Sequence, residues 1–451
     1  QRGCCQYQCH GSIISVISQR FAHTITHMIA AIAPILIAIA SLAIRLINLA
    51  TPKGFVFDEV YYVDGARDFL KYGVEVSGSK PEFIVHPPVG KWLIASGIQL
   101  FGDNEFGWRF ATAIIGTLLI LLFARLVHVL FYSPLLTAIA AFLMACDGLV
   151  LVHSRTALLD LFLTFFVLLA LYLWHQQRHW LAAIAIGLAM GCKWSAVYFL
   201  AAMVFVSLYK IFSEHPSKDL IRPTVMKFIQ YGFLPVAVYI TSWAGWFLSD
   251  RGWDRQWSSN SFASWIHYHS QMLGFHTGLT EKHSYQANPW SWMIMGRPTS
   301  FFYESPKGCG SDNCAQEVLA IGTPLLWWAG TIAVSVVIGF WLRSLFKRTT
   351  EPALNLIVLG MAAGYLPWFF FQSRTVFTFY AIVFEPFMIL ALVYCAKLLL
   401  DSSLKAGISQ GLVAAFVTVI FLNFVYFFPI FTGEIITYEA WLQRMWMNSW
   451  I

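Results

Sequence analysis

The sequence predicts an all-α protein that crosses a membrane many times. Of its 451 residues, 58% are hydrophobic and only 12% are charged, whereas a soluble domain usually carries about 25% charged residues. The apolar residues come in repeated runs of roughly 20, the length at which a helix crosses a bilayer with its backbone polar groups paired internally. The net charge of +6 is then a matter of membrane topology and not of nucleic-acid binding, because Lys and Arg mark cytoplasmic loops.

These runs predict about eleven transmembrane spans. The fifth and sixth are short and nearly continuous, and the last leads into a tail rich in Trp, a residue that favours the membrane interface. The predicted limits are 27–49, 107–131, 134–152, 156–174, 180–192, 195–212, 227–248, 318–343, 353–371, 376–399 and 408–430.

The basic residues orient these spans. With the N-terminus inside, the short cytoplasmic loops contain Arg125, Arg178, Lys210, Arg343 and Lys405, and this bias predicts a cytoplasmic N-terminus and an outer C-terminus. The chain then divides into five parts: a cytoplasmic segment 1–26, a transmembrane core 27–248 with its first outer loop 50–106, a long outer loop 249–317, a C-terminal four-helix region 318–430 and an interfacial tail 431–451. The two long loops face outward, and long loops are often functional.

The cysteines predict one disulfide. Cys309 and Cys314 lie in an outer loop, where an oxidising exterior permits a local bridge. Cys146, Cys192 and Cys395 lie in apolar runs and are expected to pack there. Cys4, Cys5 and Cys9 precede the first span with irregular spacing; a zinc knuckle is conceivable, but a disordered terminus fits better.

Two adjacent acids stand out in the stretch "FVFDEVYY", residues 55–62. Ionisable residues at the edge of a membrane are functional candidates, and Asp58 and Glu59 lie among aromatic residues, which is not typical of a solvated face. Residues 59–73 read as an amphipathic helix with Val60, Val63, Ala66 and Leu70 on one face. Pro87 and Pro88 end any helix there, and Lys91 and Trp92 begin another.

Further charges cluster at the outer ends of the spans. Arg155 sits at the mouth of the third and fourth spans, and Asp160 lies five residues into the fourth span. The two residues are read either as part of a site or as a structural Arg–Asp ion pair between helices. Lys193 lies at an outer turn, as a snorkelling side chain or as a phosphate contact. Arg374 lies between two later spans, and a guanidinium that is always ionised suits a phosphate group.

The long outer loop is dense in His, Trp, Tyr, Asn and Arg. Aromatic faces bind sugar rings and polar neighbours fix the hydroxyls. Trp290, His283 and Asn288 of this loop, with Tyr61 of the first outer loop, are therefore candidates for contact with sugar or acceptor. A belt of interfacial Trp is the alternative. His267 and His269 lack metal-ligand spacing, so no metal site is assigned.

Several of these stretches resemble one family. "FDEVYYVDGARDFL", "HPPVGKWLIASGIQLFG", "GWRF", "GCKWSAVYF", "HSYQANPWSWMIMGRPTSFFY" and "YLPWFFFQSRTVFTFYAIVFEPF" are similar to protein O-mannosyltransferases, which have the GT-C glycosyltransferase fold. The resemblance begins near residue 28 and covers most of the chain. The long loop is too short for the MIR domain of eukaryotic members, so a bacterial, actinobacterial-type member of the plasma membrane is expected.

The resemblance implies an inverting transfer of mannose from polyprenyl phosphate mannose to Ser or Thr hydroxyls of acceptor polypeptides. Asp58 would be the general base, and Glu59 would orient Asp58 or the acceptor. The donor and its phosphate would meet Arg109 and Arg374 first, with His86, Lys91, Lys193, Arg155 and Arg297 as further candidates. A divalent cation and the secretion translocon are possible additional partners.

Two alternatives remain at this stage. Another GT-C enzyme that moves a pentose or an amino-sugar from a lipid phosphate also uses an acid in its first outer loop. A transporter would explain many spans with buried charges, but the sequence has no inverted repeat and its charges gather on one face of the membrane.

Overall fold

The computed structural model describes residues 32–214, 220–349 and 351–451. The predicted segment 1–26, with Cys4, Cys5 and Cys9, lies outside this part of the chain. So does the start of the first predicted span.

Helices make up most of the described chain. In chain order they are α1 (Ile32–Leu46), α2 (Glu59–Tyr72), α3 (Val89–Phe101), α4 (Glu105–Phe131), α5 (Pro134–Ala145), α6 (Gly148–His153), α7 (Asp160–His175), α8 (His179–Met190), α9 (Ala196–Glu214), α10 (Ile221–Phe228), α11 (Leu234–Ser242), α12 (Ala244–Leu248), α13 (Ser261–Gly278), α14 (Pro324–Phe346), α15 (Pro352–Tyr365), α16 (Glu385–Leu400), α17 (Ala406–Thr432) and α18 (Tyr438–Leu442).

Among the described residues, five helices are long and apolar enough to cross a membrane: α4, α9, α14, the stretch Pro352–Phe370 that begins with α15, and α17. Four apolar helices of 10–17 residues, α1, α5, α7 and α8, add to them. The protein is therefore a helical, multi-pass membrane protein, as predicted. The count of eleven spans stays a prediction.

Several predicted spans are broken where the sequence carries a turn signal. The span 134–152 divides into α5 and α6 at Asp147, whose carboxylate caps α6 by accepting from the Leu149 and Val150 amides. The span 376–399 divides into a 3₁₀ helix, Thr378–Val383, and α16 with Pro386 in its first turn. The span 156–174 becomes α7, which begins only at Asp160. Asp160 was expected five residues inside a span; it lies instead at a helix N-terminus, where a carboxylate is favoured.

The first outer loop folds into two helices, α2 and α3, which pack on each other. The expected apolar face of α2 is half right: Val63 and Ala66 are buried, but Val60 and Leu70 are exposed. Glu59 and Tyr62 are buried instead. Glu59 faces Arg109 of α4 and the Ala157 amide, and hydrophobic periodicity does not predict such polar contacts.

A small antiparallel sheet joins the segment 299–320 to the C-terminal tail. Strand β3 (Thr299–Glu304) pairs with β4 (Cys314–Ala320), and β4 pairs with β5 (Ile435–Thr437) from the C-terminal tail. A short hairpin of β1 (Val76–Ser77) and β2 (Lys80–Pro81) lies in the first outer loop. Of the tail's tryptophans, Trp441 and Trp450 are buried within the protein and Trp446 is exposed, and the position of the tail at the membrane interface stays a prediction. Cys309 and Cys314 form a disulfide beside β4.

Candidate active site

The turn that precedes α2 carries Asp58, whose carboxylate is held only weakly by hydrogen bonds. Asp58 is the N-cap of α2, yet its side chain makes no capping hydrogen bond, the usual use of Asp at that position. The Tyr62 hydroxyl donates to Asp58 Oδ2 over 3.4 Å. Burial raises the pKa of Asp58 to about 6, with Lys193 opposing the rise and Asp160 adding to it. Asp58 can therefore accept a proton near neutral pH.

Glu59 and Arg109 form a buried ion pair, in which the donors of Arg109 are all used within the protein; that Glu59 orients Asp58 stays a prediction. Each side chain is 0% exposed, and Arg109 Nη2 lies 2.8 Å from Glu59 Oε2. The guanidinium also donates to the carbonyls of Pro52 and Gly54. Glu59 accepts from the Val56 and Ala157 amides as well. Neither group is free to hold an acceptor or a phosphate, because every charge is met inside the protein.

Three more of the predicted phosphate ligands are used in the same way. Lys91 pairs with Glu75 and donates to the His86 carbonyl. Arg155 donates to carbonyls at the end of α1, among them those of Arg45 and Asn48, both at 2.8 Å. Arg297 donates to carbonyls of Ser284 and the C-terminal residues Ser449 and Ile451. The structure assigns all three to holding chain segments together.

Asp160 forms an ion pair, but not with Arg155. Lys193 Nζ lies 2.9 Å from both carboxylate oxygens of Asp160. The turn between α8 and α9 brings Lys193 back to the N-terminus of α7, while Arg155 turns toward α1. Burial by itself would lower the pKa of Lys193, but the nearby Asp160, Tyr380 and Asp58 raise it. Lys193 therefore stays charged.

Lys193 faces a cavity of about 430 Å³. His86, Asp160, Lys193, His276, Arg374 and Tyr380 are among its polar walls. The cavity brings together three of the predicted donor ligands: His86, Lys193 and Arg374. Burial and the neighbouring cations lower the pKa of His86 well below its usual value, so His86 can offer a hydrogen bond but no positive charge.

Arg374 makes weaker polar contacts with the rest of the protein than Lys193, the other cation in the wall of this cavity. Its Nη2 lies 3.4 Å from His276 Nδ1, while its Nε is buried without a partner. His276 Nε2 donates to the Val85 carbonyl over 2.7 Å, which leaves Nδ1 to accept. In the part of the chain that the structure describes, no carboxylate pairs with Arg374. An anion can therefore bind it without breaking an ion pair.

Another wall of the cavity was not predicted. Trp194 Nε1 donates to the Tyr239 hydroxyl, which lies 2.8 Å from His269 Nε2. His269 Nδ1 lies 2.8 Å from the Trp265 carbonyl, so Nδ1 carries the proton and Tyr239 donates to Nε2. Trp194 directly follows Lys193 in sequence, which was a usable signal. Tyr239 lies inside an apolar run, where nothing in the sequence distinguishes it from a packing residue.

The residues predicted to contact sugar or acceptor do not line this cavity. Tyr61 and Trp290 are 67% and 69% exposed, and His283 is exposed too. Asn288 caps the 3₁₀ helix Pro289–Ile294. These positions remain predictions for a bound acceptor. Among the described residues, no group of three or more His, Cys, Asp or Glu side chains is placed to hold a metal ion, and His267 stacks on Trp257.

Comparison with solved structures gives the fold of the protein. The S. cerevisiae protein O-mannosyltransferase Pmt1-Pmt2 complex bound to the sugar donor matches with a TM-score of 0.78 at 16% identity, over 94% of this chain and 92% of that one. ArnT from Cupriavidus metallidurans in the apo state matches with a TM-score of 0.54 at 12% identity, over 88% and 76%. The fold is that of the GT-C glycosyltransferases.

Sequence comparison gives the family. A family model described as dolichyl-phosphate-mannose-protein mannosyltransferase matches residues 85–246, and one for the C-terminal four-transmembrane region of protein-O-mannosyltransferase matches 261–450. Polyprenol-phosphate-mannose–protein mannosyltransferases are similar along nearly the whole chain. The Mycobacterium tuberculosis protein is 31% identical over 92% of this chain and 91% of its own. The Corynebacterium glutamicum protein is 30% identical over 92% of each.

The chain belongs to the protein O-mannosyltransferase family and is a glycosyltransferase. The resemblance that the sequence motifs indicated is confirmed, and the transporter alternative falls away.

The structural role of the Glu59–Arg109 pair predicts a loss of stability when Arg109 is replaced. Arg109→Met should lower the free energy of unfolding by about 3–5 kcal/mol, because it leaves a buried carboxylate without its partner. Thermal unfolding of the purified protein in detergent measures this. Arg67→Met is the matched control, since the partly exposed Arg67 pairs with Asp64 and Asp103 and such pairs contribute at most about 1 kcal/mol. Unchanged stability with weaker donor binding would return Arg109 to the phosphate site.

Proposed function

We propose that this protein transfers mannose from polyprenyl phosphate mannose to Ser or Thr hydroxyls of secreted or membrane proteins. The names of its relatives support the reaction. One observation of the structure carries the assignment of the site: the Asp58 carboxylate accepts from the Tyr62 hydroxyl, the Tyr62 ring lies 5.9 Å from the His86 ring between centroids, and His86 lines the cavity together with Lys193 and Arg374.

In the proposed step Asp58 accepts the proton of the acceptor hydroxyl. The hydroxyl oxygen attacks the anomeric carbon of mannose from the face opposite the phosphate, and the bond from that carbon to the phosphate oxygen breaks. The electron pair leaves with the lipid phosphate, so the sugar inverts without a covalent enzyme intermediate. A base within hydrogen-bond reach of the nucleophile is the physical requirement for this step.

Arg374 and Lys193 are proposed to hold the phosphate. Charge that develops on the leaving oxygen is stabilised by cations already in place, at little cost of reorganisation. The two differ in availability, because Asp160 already neutralises much of Lys193, whereas the Nε of Arg374 has no hydrogen-bond partner among the described residues. We therefore assign the larger part of the phosphate binding to Arg374 and a share to Lys193.

The setting is proposed from the charge bias of the sequence. A cytoplasmic N-terminus puts loops 50–106 and 249–317, and with them Asp58 and the cavity, on the extracytoplasmic face of the plasma membrane. Acceptors would then be modified there, including chains that emerge from the translocon.

The other candidate function is transfer of a different sugar from a lipid phosphate. The fold that the protein shares with ArnT favours this alternative. The acceptor separates the two proposals. Membranes that contain the protein, given labelled mannosyl phospholipid, should label a Thr-rich peptide; labelling of a lipid or glycan instead would favour the other transferase.

Asp58→Asn should abolish transfer to the peptide while the protein still folds. The amide matches the carboxylate in shape but cannot accept the hydroxyl proton, and general-base catalysis contributes roughly 10²–10⁴-fold. Initial rates with labelled donor measure the loss. Asp64→Asn, on the exposed side of α2, is the matched control and should keep wild-type activity. Full activity of Asp58→Asn would remove Asp58 from the role of base.

The acid limb of the rate profile should have its midpoint near pH 6. Burial raises the pKa of Asp58 to about 6, so the basic form dominates above that pH, and kcat/KM should fall about tenfold for each pH unit below it. Burial lowers the pKa of His276 to about 4, so that group stays neutral across the limb. Rates measured between pH 5 and pH 8 decide the matter, and a midpoint below pH 5 would contradict the assignment.

Arg374→Gln should raise the KM for the lipid donor. Loss of hydrogen bonds to a charged group costs about 1.5–3 kcal/mol, equivalent to roughly ten- to a hundred-fold. KM for the acceptor peptide should change little. The control is Arg251→Gln, which removes the same charge from an exposed site in the outer loop. An unchanged donor KM would show that Arg374 does not hold the phosphate.

A further inference from the structure

We propose that Phe57 is a positioning residue for the transfer: its backbone conformation and its aromatic contacts fix the direction in which the Asp58 carboxylate leaves the turn. This inference rests on the proposed role of Asp58 as the base. Phe57 would act through Asp58 and would not touch the donor.

The first observation is the conformation of the turn. Residues 56–59 form a tight turn in which the Glu59 amide donates to the Val56 carbonyl over 3.1 Å. Phe57, at the first central position, has φ +52°, and Asp58, at the second, has φ −71° and ψ 0°. A positive φ at the first central position alone is the pattern of a type II′ turn, where Gly dominates. A bulky residue with positive φ is an outlier, so contacts of the side chain must favour Phe here.

The second observation is what holds that side chain. The Phe57 ring stacks on Phe301, with centroids 4.7 Å apart and planes 13° apart. It meets the edges of Phe377 and Phe379 at 6.0 and 5.5 Å. We call these three rings the aromatic clamp. They also contact one another, at 5.1 Å for Phe301 with Phe379 and 5.5 Å for Phe377 with Phe379, so Phe57 inserts into a packed aromatic cluster.

The clamp connects Phe57 to the cavity. Phe379 belongs to the 3₁₀ helix Thr378–Val383, and its neighbour Tyr380 lines the cavity. Lys193 Nζ lies 5.0 Å from the centre of the Tyr380 ring. The 3₁₀ helix that contacts Phe57, the residue before Asp58, therefore also contributes Tyr380 to the wall of the cavity. This shared element fixes the position of the proposed base relative to the cavity.

Asp58 is thus held through its neighbours more than by its own side chain. Phe57 is fixed by the clamp on one side and Glu59 by Arg109 on the other. Within the described part of the chain, the Asp58 carboxylate makes one long side-chain hydrogen bond, to Tyr62. A base arranged in this way is directed by the backbone yet remains free to accept a proton. Strained backbone at a functional site is where such a device is expected.

Phe57→Gly tests the proposal. Glycine adopts a positive φ readily, so the turn remains accessible. The aromatic clamp, however, loses its contacts with the Phe57 ring, and the backbone of the turn becomes more flexible. We expect kcat to fall roughly ten- to a hundred-fold, the effect of a misplaced catalytic group, with the donor KM unchanged because Phe57 does not line the cavity. The acid limb should move below pH 6 as Asp58 becomes hydrated. Phe57→Tyr keeps the ring and should restore kcat.

Tyr132→Gly is the matched control. Tyr132 is also an aromatic residue with positive φ, +50°, but it ends α4 and is 78% exposed. The same replacement there should leave kcat and the acid limb as in the wild type. Phe301→Leu is a second test that keeps Phe57 in place and removes the stacking face; it should lower kcat and move the acid limb in the same direction, and it applies even if Phe57→Gly does not fold.

The outcomes separate this inference from the proposed function. If the wild-type protein does not transfer mannose, or if Asp58→Asn remains active, the proposed function or its base fails. If the wild-type protein is active and Asp58→Asn is not, but the clamp variants keep the wild-type kcat or the wild-type acid limb per folded molecule, then Phe57 is only a packing residue and the inference is overturned.

Discussion

The buried ion pair of Glu59 with Arg109 holds together the part of the protein that carries Asp58. Arg109 lies near the start of α4 and donates to carbonyls of the segment that joins α1 to α2, while Glu59 begins α2 and accepts the Ala157 amide from the segment before α7. Four parts of the chain meet at one pair of charges. Two ions out of water are stable only when their charges and hydrogen bonds are fully met, and here they are. The orientation of the turn that carries Asp58 depends on this arrangement.

The charged residues predicted for the outer side differ in how far their hydrogen-bond donors are already used within the protein. Lys91 with Glu75, Arg155 with the end of α1 and Arg297 with the C-terminal residues use their donors to join segments of the protein. Lys193 forms an ion pair with Asp160, and Arg374 has a buried nitrogen without a partner among the described residues. A phosphate that enters the cavity finds attraction where donors are still unused. The chemistry of the site thus follows from what the fold leaves unpaired.

The sequence anticipated much of the fold and part of the site. Runs of apolar residues predicted a helical membrane protein because a bilayer permits few other solutions, and the motifs from "FDEV" to "FVFEPF" indicated the family that the relatives confirm. Helices begin or end inside the predicted spans where a cap or a proline interrupts them, as at Asp147 and Pro386. Of the predicted donor ligands, His86, Lys193 and Arg374 come together at one cavity, whereas Arg109, ranked with Arg374 in sequence, turns out to be structural.

The sequence by itself determined the class of protein and the place of its candidate base. Hydropathy and the charge pattern are local properties, and each can be read one segment at a time. Only the tertiary structure decided which charges pair, because Glu59 and Arg109 are 50 residues apart and Asp160 and Lys193 are 33 apart. Adjacent acids in "FVFDEVYY" have the same charge and nearly the same neighbours in sequence. Long-range contacts distinguish them: Glu59 forms an ion pair with Arg109, whereas Asp58 forms none with the residues that the structure describes, and its carboxylate remains available to act as a base.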